Sequence, residues 1–405
     1  MKNKIFVRIA SYRDPELIPT IEDCIKKAKN PELLSFGICY QDSKFSKKFD
    51  KDPRFKILKI NYKESKGVCW ARHQVESLYN KEEFTLQIDS HTRFIKNWDE
   101  ELIKMWKEIK DPNAILSTYP SQYFPDVPEE KWQTATQIIR ASSILKDGHL
   151  EQIPDYLDPK RTHVYNAICI AAGFIFSKGS VIKKVPYDPE LYFLGEEASL
   201  ALRLFTNGYN LYHPYKNILW HYYTRSGQKK HWEDFKNWKD LNIISRKRFD
   251  CLLGKSNEFE LGKYGLGNKR TLLDFMNYSG VDYLNNRLHI DTIEGKEAPV
   301  KETDSAYWEL KDITFKQTIY WDFNKIDKCN DVSFWAFIFK DNFDNEIYRK
   351  DLLYDENKDI VDGNITSKEF SFNYKTTVNK FPKKIIIWPY SKSKTWLNKI
   401  EMNLC

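Results

Sequence analysis

The stretch Phe84-Thr85-Leu86-Gln87-Ile88-Asp89-Ser90-His91 is where the reading of this chain turns. Phe84, Leu86 and Ile88 alternate with Thr85 and Gln87, the two-residue period of a strand with one apolar face. Downstream, Trp98, Leu102, Met105, Trp106 and Ile109 form a helical stripe, and residues 114–118 read as another strand. Upstream, residues 5–10 are a short apolar run suited to a buried strand, closed by the polar turn Ser11-Tyr12-Arg13-Asp14-Pro15. Residues 20–29 read as a helix with Ile21, Cys24, Ile25 and Ala28 on one stripe. Residues 36–40 and 55–60 read as strands, and residues 69–78 as a helix. Strands alternating with helices predict an α/β fold around a mostly parallel sheet. Ligands of such sheets sit beyond the carboxyl ends of the strands. That rule singles out residues 11–14, 41–42 and 89–91.

The pattern changes along the chain. Residues 120–165 carry Pro120, Pro125, Pro128, Pro154 and Pro159 and read as irregular, the kind of long stretch that forms a functional loop. Residues 168–177 are apolar with Gly173 in the middle. Gly195-Glu196-Glu197 opens a helix in which Ala198, Ala201, Leu202 and Phe205 fall at helical spacing, with Gly208 placed to end it. From about residue 305, short aromatic and β-branched runs such as Phe334-Trp335-Ala336-Phe337-Ile338-Phe339 and Ile385-Ile386-Ile387-Trp388 alternate with turn residues. They predict an all-β, sandwich-like accessory domain of about 100 residues. The expected division is residues 1–225 as core, 226–304 as a helical and loop extension, and 305–405 as the β domain.

Composition narrows the function classes. The 405 residues hold 64 Lys and Arg against 57 Asp and Glu, a formal charge of +7 spread without blocks or stripes. That distribution argues against a dedicated nucleic-acid binder. Mean hydropathy is −0.63, and no run approaches the roughly 18 apolar residues of a membrane-spanning helix. The opening Met1-Lys2-Asn3-Lys4-Ile5-Phe6-Val7-Arg8 is too short and too interrupted for a signal peptide. The 7 Cys form no Cys-x-x-Cys pair, which reads as reduced thiols in a cytoplasmic protein. No Gly-x-Gly-x-x-Gly follows the first strand, and neither a P-loop nor a Gly-x-Ser-x-Gly elbow occurs.

Asp89 and His91 are the strongest candidate chemistry. A carboxylate and an imidazole two residues apart, at the carboxyl end of a strand, can face one divalent ion, and mixed oxygen and nitrogen donors suit Mn²⁺ better than Ca²⁺. The same pair also fits a turn-capping aspartate beside a surface histidine. His221 follows the strand-like run Ile218-Leu219-Trp220 and is placed much as Asp89 is; standing alone it reads equally as a buried structural histidine. Glu196 and Glu197 are either carboxylates for sugar hydroxyls or acidic residues favoured in a helix's first turn. Arg13 and Arg72 are candidates for anion contacts, Arg72 because a glycine turn at Gly67 leads into its helix.

Several ordered motifs together resemble one glycosyltransferase family, that of the Skp1-hydroxyproline N-acetylglucosaminyltransferase and its bacterial relatives. They are Ile9-Ala10-Ser11-Tyr12-Arg13-Asp14-Pro15, Gly67-Val68-Cys69-Trp70-Ala71-Arg72, and Gln87-Ile88-Asp89-Ser90-His91-Thr92-Arg93-Phe94. The resemblance runs over roughly residues 4–285 and includes Arg270-Thr271-Leu272-Leu273-Asp274-Phe275 and Gly280-Val281-Asp282-Tyr283. It implies a retaining, metal-dependent enzyme with a GT-A type nucleotide-sugar-binding core that uses UDP-GlcNAc. More distantly, Asp89-Ser90-His91, Leu194-Gly195-Glu196-Glu197 and Ile218-Leu219-Trp220-His221 are similar to the metal motif, helix opening and third-ligand segment of the polypeptide GalNAc-transferases. The sequence departs from that cousin at Leu194, where it has Gly, and at Glu197, where it has Asn. By these resemblances Asp89, His91 and His221 hold Mn²⁺ or Mg²⁺. Ser11, Tyr12, Arg13, Asp42, Arg72 and Asp89 line the UDP-sugar site, and Glu196 and Glu197 face the sugar or acceptor. The acceptor is a hydroxyl on a protein hydroxyproline, Ser or Thr, or on a surface glycan. Two rival readings stay open: a sugar-nucleotide pyrophosphorylase, and a non-catalytic glycan-binding protein working through its aromatic C-terminal domain.

Overall fold

The computed structural model describes residues 2–145, 148–225, 227–301, 308, 311–326, 329–341, 344, 346–376 and 382–404. Its contacts divide the chain into two units, residues 1–303 and 304–405. In the first unit the elements are β1 (Ile5–Tyr12), α1 (Leu17–Lys27), β2 (Leu34–Asp42), β3 (Phe55–Asn61), α2 (Val68–Glu76), β4 (Phe84–Asp89), β5 (Thr92–Phe94), α3 (Trp98–Glu108), β6 (Ala114–Ser117) and β7 (Ser121–Gln122). They continue as β8 (Gln137–Ile144), β9 (Leu150–Tyr156), β10 (Tyr165–Asn166), β11 (Phe174–Lys178), α4 (Val181–Lys184), α5 (Glu196–Thr206), β12 (Asn210–His213) and β13 (Leu219–His221). The unit ends with α6 (His231–Asp234), α7 (Trp238–Leu252), α8 (Leu272–Ser279), β14 (Val281–Asp282), β15 (Arg287–Leu288) and α9 (Ile290–Ile293).

An eight-stranded sheet in the order β10-β12-β6-β11-β4-β1-β2-β3 organises this unit. β4, β1, β2 and β3 pair in parallel, so the ends of β1, β2 and β4 at Tyr12, Asp42 and Asp89 reach one edge. β11 is inserted antiparallel to both β4 and β6. Because it runs the other way, its first residue Phe174 lies opposite Ile88, and Gly173 arrives beside Asp89. β1 and β2, at the middle of the sheet, are buried on both faces along most of their length, which is why the first reads as an apolar run. One face packs Ile5, Val7, Ile9, Phe84, Leu86 and Ile88 with Trp98 and Leu102 of α3. The other packs Phe6 and Cys39 with Val75 of α2 and Leu200, Ala201 and Leu204 of α5. Each such fully buried large apolar side chain contributes about 1.5–3 kcal/mol.

One expectation is corrected. Residues 120–165, read as irregular, contain the antiparallel hairpin β8–β9. Pro154 sits within β9, whose other edge pairs with no described strand, and an edge strand is where a proline is tolerated. Among the described residues no helix is long and apolar enough to cross a membrane.

The second unit has two layers. β16 (Lys311–Tyr320) precedes β17 (Val332–Lys340), β18 (Glu346–Leu353), the short α10 (Lys358–Val361), β19 (Ser367–Thr376), β20 (Lys384–Ser391), β21 (Thr395–Trp396) and β22 (Ile400–Asn403). β16 and β19 form one antiparallel pair; β18, β17, β20, β21 and β22 form a five-stranded sheet. Trp335, Phe337, Phe339, Ile385 and Ile387 point inward from that sheet onto Phe370 and Phe372 of β19.

Candidate active site

The turn Asp89-Ser90-His91 links β4 to β5 and is tied down from several sides. The Thr92 hydroxyl donates to the Asp89 carbonyl at 2.9 Å, the Thr20 hydroxyl to the Ser90 carbonyl at 2.8 Å, and the Tyr222 N–H to the His91 carbonyl at 3.0 Å. β13 pairs antiparallel with β5 so that His221 stands opposite Thr92. That register delivers an imidazole from 132 positions away to the carboxylate: His221 Nε2 lies 3.1 Å from Asp89 Oδ2. The His91 and His221 rings are 4.5 Å apart. One ligand atom from each of Asp89, His91 and His221 falls within 4.8 Å of the others.

The residues fit a divalent cation. His91 Nδ1 is 2.7 Å from Asp14 Oδ2, so Nδ1–H donates to that carboxylate and Nε2 is left with its lone pair outward. Burial lowers the His221 pKa to about 4, so the ring is neutral at pH 7, the form that ligates a metal. Burial opposes the charge on Asp89, but the hydrogen bond from His221 and the Arg72 guanidinium outweigh it and hold the carboxyl well below the usual carboxylate range. Gly173 makes room: a Cβ there would meet Asp89 Oδ2 at 3.0 Å and His221 Cδ2 at 3.6 Å.

Arg72, on α2, is buried at 6% exposure and is already committed. Its Nη2 donates to Asp89 Oδ1 at 2.8 Å and its Nη1 to Glu196. Glu196 also accepts from Cys69 Sγ and Tyr187 Oη, both at 3.3 Å. Glu197 takes the Ala172 N–H at 2.8 Å and the Gln152 amide at 2.7 Å. Burial raises the Glu197 pKa above the ordinary glutamate range, although the Ala172 N–H and the Arg72 charge pull the other way. The two glutamates therefore stand behind the Asp89–Arg72 pair.

A cleft of about 260 Å³ opens over this cluster, and its walls include Tyr12, Gln41, Gly67, Arg72, Asp89, His91 and His221. Gly67 has φ +106°, and a Cβ there would strike the Tyr192 ring at 2.6 Å, so the wall needs glycine on both counts. Of the residues singled out in the sequence, Tyr12, Arg72, Asp89, His91 and His221 are brought to the cleft; Ser11, Arg13, Asp42, Glu196 and Glu197 are not among the described residues lining it. Ser11 is fully buried. Arg13 turns to Asp234 at 2.7 Å and lies 4.3 Å over the Tyr62 ring. Asp42 takes the Ser43 N–H at 2.7 Å.

Sequence reasoning missed the opposite wall. Arg225, Lys229, Lys230, His231 and Trp232 face the cleft with Tyr192, Phe193 and Tyr223. His231 is held by the Tyr192 hydroxyl at 2.7 Å and Ser65 Oγ at 3.0 Å, and burial lowers its pKa to about 4. The clustering of Lys229-Lys230-His231-Trp232 soon after His221 was the available signal. Asp14 lies inside the turn that drew attention but was given no role of its own.

A family model described as Glycosyltransferase (GlcNAc) matches residues 4–54 and 48–285. No curated protein matches in sequence. Among solved structures, GalNAc-T7 with UDP, GalNAc and Mn²⁺ is similar at 15% identity and a TM-score of 0.45, covering 67% of this chain and 56% of that one. S. aureus TarS 1–349 in complex with UDP-GlcNAc is similar at 13% identity and a TM-score of 0.40, covering 64% of this chain and 69% of that one. This chain thus spans little more than half the length of the GalNAc-T7 chain.

Proposed function

The chain belongs to the glycosyltransferase (GlcNAc) family, and from that premise we propose that it moves N-acetylglucosamine from UDP-GlcNAc to a hydroxyl acceptor with retention of configuration. The observation that carries this reading is the convergence of Asp89, His91 and His221 on the floor of a cleft with a basic wall. In this proposal the unit of residues 1–303 is a GT-A type catalytic core, and Asp89 Oδ2 with one nitrogen of each imidazole holds Mn²⁺ or Mg²⁺. The cation, when bound, supplies Lewis-acid neutralisation of the diphosphate leaving group. Arg225, Lys229 and Lys230 meet the remaining phosphate charge from the rim. Arg72 keeps Asp89 ionised and oriented; with two carboxylates on it, it has no charge to spare for a phosphate.

The reaction breaks the bond from the anomeric carbon to the phosphate oxygen and forms one to the acceptor oxygen. The acceptor's proton passes to the departing phosphate oxygen on the same face, so no side chain need act as base. Tyr12 and Gln41 flank the nucleoside end. At about 260 Å³ the enclosed volume is slightly below the usual range for small-molecule sites, so the donor extends from it into the open mouth beside Phe193 and Trp232. The acceptor is a protein hydroxyproline, Ser or Thr, or a glycan hydroxyl. The compartment in this proposal is the cytoplasm, where cysteines spaced as these are stay reduced.

The test is UDP release from UDP-GlcNAc, UDP-GalNAc and UDP-Glc with Mn²⁺ or with chelator, with and without candidate acceptors. Release from UDP-GlcNAc that chelator stops, and that His221→Ala loses while its melting curve is preserved, supports the reading. No metal-dependent release from any donor sinks it.

A further inference from the structure

We propose that the outer face of the five-stranded sheet in the second unit binds a neutral glycan, seated on the rings of Trp396 and Trp388. The proposal concerns residues 304–405 alone and does not need the transfer reading.

Strand alternation sends Trp335, Phe337 and Phe339 into the core, and therefore sends Phe334, Ala336 and Ile338 outward. An outward face of a sandwich is ordinarily polar. Here the register sets Phe334 opposite Tyr390, Ala336 opposite Trp388, and Tyr390 opposite Trp396. The rings converge: Trp396 is 4.5 Å from Trp388, 5.2 Å from Tyr390 and 5.7 Å from Phe334. Trp396 keeps 36% of its surface exposed. Small Ala336 lies fully buried beneath this layer.

The polar groups beside the rings are of a particular kind. Arg349 sits two strands away from β20, yet its guanidinium comes within 5.7 Å of the Trp396 ring. It is gripped by Asp351 at two points, Nε at 2.8 Å and Nη2 at 3.2 Å, and both side chains are about one-third exposed. On the other side the Lys399 ammonium lies 5.6 Å from the Trp388 ring and 2.5 Å from Glu401. Lys399 and Glu401 also line an open cavity of about 560 Å³ that includes Tyr320, itself 71% exposed.

A pyranose has a patch of C–H groups and a rim of hydroxyls. The first is matched by an indole face, the second by planar groups that donate or accept two hydrogen bonds side by side. Both occur here within one side chain's reach. The two cations are each paired with a carboxylate, so the face is electrically balanced, which favours an uncharged polymer over an acidic one. The same ion pairs argue against a second copy of the chain as occupant, because charged residues are depleted from the centres of stable protein interfaces.

The experiment uses the full chain on an array of neutral and acidic oligosaccharides of three or more sugars, followed by titration calorimetry with the best neutral binder. The expected result is retention of a neutral glycan whose Kd rises about tenfold or more in Trp396→Ala and Trp388→Ala, is kept in Trp396→Phe, and is little changed by 0.5 M salt. Melting curves and UDP release of the same preparations are read in parallel and stay at the wild-type level in Trp396→Ala. Failure of glycan binding thus leaves the transfer reading standing, and the reverse. The proposal is overturned if no neutral glycan is retained, if only acidic glycans bind and salt releases them, or if the alanine variants bind as the wild type does. A concentration-dependent dimer that Trp396→Ala dissolves would also overturn it.

Discussion

Replacing Asp14 by Asn should weaken binding of Mn²⁺ about 10–100-fold, the range seen when a partner of a ligating histidine is removed. The structure gives the reason for that size. The Asp14 carboxylate is 5% exposed and accepts three hydrogen bonds, from Ser90 Oγ at 2.6 Å, His91 Nδ1 at 2.7 Å and the Glu16 N–H at 2.9 Å. The hydroxyl and the ring share Oδ2; the N–H uses Oδ1. Burial disfavours its charge, yet the His91 and Ser90 hydrogen bonds keep its pKa below the ordinary aspartate value. An amide presents one acceptor and one donor. If its oxygen serves His91 and Ser90, its NH₂ confronts the Glu16 N–H; if it flips, it confronts the imidazole and frees the ring to take the wrong tautomer. Either way one charge-assisted bond is lost, worth about 1.5–3 kcal/mol. At 1.4 kcal/mol per decade that is about the same 10–100-fold. Titration calorimetry or the loss of the free Mn²⁺ spin-resonance signal reads the affinity directly, without needing an acceptor. An Asp14→Asn protein that binds Mn²⁺ within about twofold of the wild type would falsify the tautomer argument, whatever its activity.

Other outcomes follow from the same geometry. Gly173→Ala puts a methyl 3.0 Å from Asp89 Oδ2. It should lower Mn²⁺ affinity and UDP release together with little change in melting temperature, and a variant as active as wild type shows that the carboxylate has slack. Arg72→Met leaves Asp89 and Glu196 facing each other without their shared cation. It should cost about 3–5 kcal/mol of stability by urea unfolding, part of which Arg72→Met with Glu196→Gln recovers; no loss in the single variant counts against the buried-charge account. His213 is fully buried, donates from Nδ1 to the Ser117 carbonyl at 2.6 Å and accepts the Ile139 N–H at Nε2 at 3.1 Å, so both ring nitrogens are used in one neutral tautomer. Burial lowers its pKa from 6.5 to about 4. Below pH 6.5 the unfolded chain takes up the proton first, so this contribution is whole above that pH and is lost as pH falls towards 4. Between pH 7.5 and 5.0 it should remove about 2 kcal/mol. Unfolding curves at the two pH values should show a smaller difference in His213→Gln; an unchanged difference points to other groups.

How much of this was visible in the sequence depends on whether the deciding contact is local. β4 was legible because Phe84, Leu86 and Ile88 turn into one apolar layer while Thr85 and Gln87 meet polar partners on the other side, and Asp89 and His91 were legible because a single turn holds both. The hairpin β8–β9 was not, since Pro154 is a break signal everywhere except at a free edge, and edges are assigned by the sheet. The same distinction separates chemistry from role within the site. Asp14 and His91 meet across 77 positions, and Asp89 and His221 across 132. These pairings are set by α1 docking against β5 and by the register of β13 on β5. Arg72 shows the consequence most clearly. Its charge and its place after a glycine turn are facts of sequence, and they point to an anion. The 17 positions to Asp89 and 124 to Glu196 are spanned only in the fold, where two carboxylates claim the guanidinium. In the proposed site Arg72, which also lines the cleft, then serves to keep the Asp89 carboxylate charged and in place.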